Sequence, residues 1–153
     1  MGKMLYNLIT NKIFLAPASA WFIAQLLKVI IDTAKGGFSK ERLVGGGGMP
    51  SSHASTVTAL AGITGLFYGA GSFEFVMTLF FGLVVIYDAR GVRFETQRQG
   101  KALNNLNEER SEEGKQPLDI IKFKEKMGHT FPELVVGILI GIACVLVVYH
   151  LPI

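Results

Sequence analysis

A single cysteine in 153 residues, Cys144, excludes a disulfide framework within the chain. It lies in an apolar run and reads as a buried, inert thiol. Charge is scarce as well. Only 18% of residues are charged, 50% are hydrophobic, and the mean hydropathy is +0.40, high for a soluble domain. The net charge of +3 is modest, and no nucleic-acid partner is expected. Repeats and low-complexity tracts are missing. His53, His129, Asp88 and Glu133 lack the tight spacing of a metal site, so neither a metal nor another cofactor is expected. No small-residue cleavage site follows the first apolar stretch, so Met1–Lys12, with its weak signal-peptide look, reads as retained.

What is present is apolar sequence in four blocks. These are roughly residues 13–31 (interrupted by Lys28 and containing Pro17), 54–70, 73–87 and 132–149. A crossing helix needs about 20 apolar residues. The expected fold is therefore all-α, a polytopic membrane bundle of about four transmembrane helices forming one domain over 1–153. A long charged connection runs from about 88 to 131. Within it, residues 94–107 are expected to form a helix and 108–117 a surface loop. Residues 118–127 alternate apolar and basic and read as an amphipathic segment, on the membrane surface or in solvent. Gly137 and Gly141 form a small-xxx-small pair suited to close helix packing, within the chain or in a homodimer. Nearly all Lys and Arg fall in the first and third connections, from Lys35 to Lys126, against Lys3 and Lys12 on the other side. The positive-inside rule puts those connections in the cytoplasm. The expected location is the cell membrane, multi-pass.

The most informative run is Gly45-Gly46-Gly47-Gly48-Met49-Pro50-Ser51-Ser52-His53. Glycines free backbone N–H groups to turn inward, and the helix start that follows adds partial positive charge, so the pair suits an anion such as phosphate. A second histidine stands at another helix start, in Gly128-His129-Thr130-Phe131-Pro132-Glu133. With four crossings, Lys35, Arg42, Ser51, Ser52, His53, Asp88, Arg90, Arg93, His129 and Glu133 all reach one membrane face. His129 and Glu133, four apart, share a helix face, where the carboxylate fixes the ring's tautomer and sharpens its free nitrogen. Two histidines suggest one nucleophile and one proton donor. Each residue also has a plainer reading. Ser52 suits a helix cap, the glycines a hinge, and Lys35, Arg42 and Arg90 headgroup anchors. Glu133 suits its helix dipole, Asp88 an ion pair with Arg90 or Arg93, and His129 and His150 the interface.

These residues resemble the phosphatidic acid phosphatase type 2 superfamily, which includes vanadium haloperoxidases. Lys35 and Arg42 have the spacing of its Lys-x6-Arg-Pro motif, with Leu43 in place of proline. Pro50-Ser51-Ser52-His53 is similar to Pro-Ser-Gly-His. His129-x3-Glu133 is similar to the end of Ser-Arg-x5-His-x3-Asp, with Lys122 and Phe123 where Ser and Arg would stand. The tract from Asp88 to Arg93, then Leu103-Asn104 and Gly128-His129-Thr130, resembles the divergent membrane branch. The resemblance implies that His129 forms a phosphohistidine, Glu133 orients it, and His53 protonates the leaving group. It also implies that Lys35, Arg42, Ser51 and Ser52 hold phosphate, without a metal. Arg90 or Arg93, or one of Lys122, Lys124 and Lys126, is expected to replace the missing arginine, with Asp88 beside them.

The expected function is hydrolysis of a lipid phosphomonoester or pyrophosphate at the cytoplasmic face. Candidate substrates are phosphatidylglycerol phosphate, phosphatidic acid and an isoprenoid diphosphate. Two competitors differ in class: a non-catalytic phosphate- or phospholipid-binding protein, and a transporter-like subunit suggested by Lys28 and Asp88.

Overall fold

The computed structural model describes residues 2–36, 47–125 and 127–153, the side chain of Lys35 excepted. Among these residues the secondary structure is helical throughout. The helices are α1 (Gly2–Ile9), α2 (Lys12–Gly36), α3 (Ser52–Tyr68), α4 (Phe73–Arg90), α5 (Val92–Glu112) and α6 (Phe131–Tyr149). Three helical stretches are long and apolar enough to cross a membrane: Lys12–Ala34, the continuous run Phe73–Glu112, and Phe131–Tyr149. The fold is a helical membrane bundle. At 17 residues, α3 is at the short end for a span. Its Ser, Thr, Gly and Ala side chains suit close packing rather than lipid, and it is the hub. It packs against α2, α4 and α6, and α2 also packs against α6, while α4 holds to the bundle through α3.

Small residues make this arrangement possible. On α2, Ala16, Ala20 and Ala24 recur every fourth residue and are fully buried. Ala16 and Ala20 share one core with Ala59, Ile63, Cys144, Val145 and Val148, so Cys144 is buried as its apolar run suggests. A Cβ added at Gly137 would press against the Ser51 carbonyl oxygen, and one at Gly141 would lie 2.6 Å from that of Ser55. The small-xxx-small pair is therefore used between α6 and α3 of one chain. The bulky apolar side chains, including Trp21, Phe22, Phe80, Phe81, Val84, Leu139 and Val147, point outward, as lipid-facing positions do.

Several boundaries differ from the sequence reading. α2 continues to Gly36, five residues past the expected end. α5 continues to Glu112, through helix-forming Glu108, Glu109 and Arg110 that were read as loop. It stops where Gly114 takes φ +68° and the Lys115 N–H donates to the Arg110 carbonyl, the backbone pattern of a Schellman turn. The return segment 118–125 is not the amphipathic helix its alternation suggests. Side chains of α5 bind its backbone instead, and a chain held that way has no need of helical hydrogen bonds. The helix expected over 94–107 of this connection thus runs longer, from Val92 to Glu112. At the opposite end of the bundle, Lys12 Nζ donates to the carbonyls of Tyr149 (3.0 Å) and Leu151 (2.6 Å), tying the start of α2 to the end of α6.

The α3–α6 contact is directly testable. Gly137→Ala or Gly141→Ala forces a methyl against a backbone oxygen and is expected to cost about 1–3 kcal/mol. Gly71→Ala, which meets nothing within 4 Å, is expected to stay within about 0.5 kcal/mol of wild type. Denaturation in mixed micelles reads the difference.

Candidate active site

Two helix starts lie side by side because α6 can approach α3 so closely. The Ser51 N–H donates to the Glu133 carbonyl (3.0 Å), registering one start against the other. Ser51, fully buried, caps α3 by accepting the Ala54 N–H (3.2 Å). The cap is thus Ser51, not Ser52. Just before it, Gly48 takes φ +99°, a conformation suited to glycine. At the start of α6, Glu133 reaches back to accept the Thr130 N–H (2.9 Å).

This registration brings together two histidines 76 residues apart. His53 Nδ1 and His129 Nε2 are 3.4 Å apart, with the rings edge to face. The other nitrogen of His129, Nδ1, lies 3.3 Å from Glu133 Oε2. His129 is fully buried, and its N–H donates to the Ala89 carbonyl at the end of α4 (3.0 Å). The result is a line: carboxylate, imidazole, imidazole. A nitrogen facing a nitrogen at this distance needs a proton on one and a lone pair on the other, so the pair shares one proton along that axis. The Glu133 carboxylate accepts from Nδ1–H of His129, which leaves Nε2 as the nitrogen with a lone pair.

The basic residues divide. Lys28, read as an interruption of the first span and as a hint of a transporter-like subunit, is 1% exposed and lies under the start of α3. Its Nζ donates to Ser52 Oγ (3.2 Å), and Ser52 Oγ donates in turn to Gln25 Oε1 (3.4 Å). Asp32 and Glu133 are near enough to act on Lys28 electrostatically. The signal was in the sequence: Lys28 continues the Ala16, Ala20, Ala24 spacing and so lies on the packing face of α2. Asp88 and Arg93 form an ion pair at 2.6 Å, partly exposed, and both act on His53 electrostatically. Arg90 stacks over the exposed Phe131 ring (5.5 Å) at the rim. Lys35 lies near the end of α2, and Arg42, Gly45, Gly46 and Lys126 lie outside the described residues. Exposed Lys122 pairs with Glu108 (3.5 Å) on the arm made by α5 and its return chain. Among the described residues, no three His, Cys, Asp or Glu side chains gather as metal ligands do.

Residues 9–144 match the family described as "Divergent PAP2 family". The chain belongs to that family. The divergent PAP2 match spans every site residue named above. The chain is also 34% identical, over 94% of its length and 98% of the relative's, to the "uncharacterized membrane protein YuiD" of Bacillus subtilis (strain 168). No solved structure matches it. In this divergent PAP2 protein, the sequence pattern singled out both histidines and Glu133, weighed Lys28 only for a transporter-like role, and passed over Gln25.

Lys28→Met keeps the unbranched shape of the side chain, one heavy atom shorter, and removes its charge, taking a buried cation from between Asp32, Glu133 and Ser52. The expected loss is about 2–4 kcal/mol of stability, since a buried charge cluster is broken from one side. Denaturant titration of the purified protein checks it; an unchanged midpoint contradicts the buried placement.

Proposed function

We propose that the protein hydrolyses a lipid phosphomonoester or pyrophosphate at the cytoplasmic membrane face through a phosphohistidine. The observation that carries this reading is the line Glu133–His129–His53 beside buried Lys28 at the start of α3. Membership of a PAP2-related family supports it at the level of the superfamily.

The chemistry follows from the groups in place. The substrate's phosphoryl group enters between the two rings and parts their contact, leaving phosphorus about 3 Å from His129 Nε2. The lone pair of Nε2 attacks phosphorus as the bond to the leaving oxygen breaks. His53, entering as the imidazolium, gives that oxygen a proton and is left neutral. Glu133 holds the Nδ1 proton, and its negative charge offsets the positive charge that grows on the ring. Water then attacks the phosphohistidine while His53 takes a proton from it. The P–N bond breaks, inorganic phosphate leaves, and His129 returns to its neutral form. Lys28, through its place beside Ser52, and Arg93, beside Asp88, supply positive charge to the phosphoryl oxygens. Arg93 then fills the role of the arginine missing before His129. Lys35 and Arg42 are further phosphate ligands in this proposal, and Ser51 contributes chiefly by fixing the helix start. Arg90 at the rim suits a lipid headgroup.

A second reading is phosphate or phospholipid binding without turnover. The direct His53–His129 contact favours it, because it closes the approach to Nε2.

Phosphate release from phosphatidylglycerol phosphate, phosphatidic acid and an isoprenoid diphosphate, with EDTA present, separates the two. Turnover is expected to survive EDTA. It is expected to fall at least about 10³-fold in His129→Ala and about 10²-fold in His53→Ala, the usual scale for a lost nucleophile and a lost proton donor. Binding of these lipids with no release, in folded protein, supports the second reading.

A further inference from the structure

One face of α5 carries Gln97, Gly100, Asn104 and Asn107, spaced three, four and three apart, and this face holds the chain that returns to His129. Asn107 Oδ1 accepts the Leu118 N–H (2.6 Å). Asn104, buried, accepts the Phe123 N–H (2.9 Å) and donates to the Phe123 carbonyl (3.0 Å) and to Glu125 Oε1 (2.9 Å). Gly100 lets Phe123 lie flat on the helix, since a Cβ there would be 2.9 Å from the Phe123 Cβ. The last rung is Gln97. Its Oε1 accepts two consecutive backbone N–H groups, those of Met127 (3.0 Å) and Gly128 (3.1 Å). Gly128 is pressed against the backbone of Phe94, leaving no room for a side chain.

The next residue is His129. Its own N–H goes to Ala89, and the Thr130 N–H goes to Glu133. Four consecutive N–H groups, 127–130, are therefore bound by three separate acceptors, and Gln97 supplies two of the four bonds. We propose that Gln97 is a positioning residue for His129. By pinning the two peptides before it, Gln97 fixes where the His129 backbone starts and hence the line from Glu133 through Nε2. Gln97 touches no reacting atom. Its effect on turnover rests on the phosphatase reading; its effect on the placement of His129 does not.

The test compares Gln97→Ala with Gln97→Glu, whose carboxylate offers an acceptor at the same reach. Two properties are read in micelles. The first is kcat and KM on the best lipid phosphate. The second is the rate at which diethyl pyrocarbonate modifies His129, followed by mass spectrometry against exposed His150. In Gln97→Ala, kcat is expected to fall about 10- to 100-fold with KM within about twofold, the scale of a small misplacement of a reacting group. Modification of His129 is expected to rise severalfold. Gln97→Glu is expected to restore both. If Gln97→Ala does not fold, Gln97→Asn, one methylene short, takes its place with the same expectations. Wild-type modification and kcat in the shortened variant overturn the proposal. A Gln97→Glu protein as impaired as Gln97→Ala overturns it equally. If the wild-type protein releases no phosphate, the phosphatase reading has failed, and the modification rates alone decide the role of Gln97.

Discussion

The close approach of α6 to the first turn of α3 is the contact on which the rest depends. Gly137 lies against the Ser51 carbonyl, and the Ser51 N–H meets the carbonyl of Glu133. Those two contacts set the axial register of two helices that are far apart in sequence. With that register, His53 faces His129, Glu133 stands behind His129, and Lys28 comes up beneath Ser52. A slip of one turn along the seam would move the histidines about 5 Å apart and leave buried polar groups without the partners they have here. Bilayer packing offers little apolar driving force between helices, so glycine and alanine contacts of this kind carry the specificity of the assembly.

The same physics explains what was legible in the sequence. The apolar blocks are visible because crossing a bilayer demands continuous apolar length. His53, His129 and Glu133 are visible because helix starts with histidine and a four-residue carboxylate spacing are local patterns. The Gly137–Gly141 pair announced close packing, though not which helix it met. Lys28 was hidden for a different reason. A lysine in an apolar run looks like a flaw in the span until one notes that it falls in step with Ala16, Ala20 and Ala24, on the face that packs inward. The extension of α5 was missed because its charged last turns look like loop. The return segment was misread because alternating apolar and basic residues have no fixed meaning once side chains of another element satisfy the backbone. Gln97, Asn104 and Asn107 act on main-chain atoms of distant residues, and spacing alone does not show what a helix face will bind.

The site combines two kinds of order. The bundle sets the histidine pair through rigid helix contacts. The arm formed by α5 and its return chain sets the approach to His129 through side-chain hydrogen bonds. The arm packs on the bundle mainly through α4, and its outer surface carries both charge signs, with ion pairs such as Arg98–Glu95 and Lys115–Glu113. Such exposed pairs add little stability. The arm's position is governed instead by its join to α4 at Gly91, where the N–H donates to the Tyr87 carbonyl (2.7 Å), and by the polar rungs facing the return chain.

The character of α3 has a consequence for how the protein is made. The helix at the centre of the bundle is short, and its first turns carry serine, histidine and threonine. Alone it is a poor candidate for partitioning into lipid, where each uncompensated polar group is costly. Its neighbour α4 is strongly apolar and follows after the brief turn between Tyr68 and Phe73. The two therefore enter the bilayer best as a hairpin, with α4 drawing α3 in after it. α6, made after them, then closes over the polar end of α3. Until α6 arrives, His53 has no His129 to face, so the histidine pair forms only after α6 has joined α3.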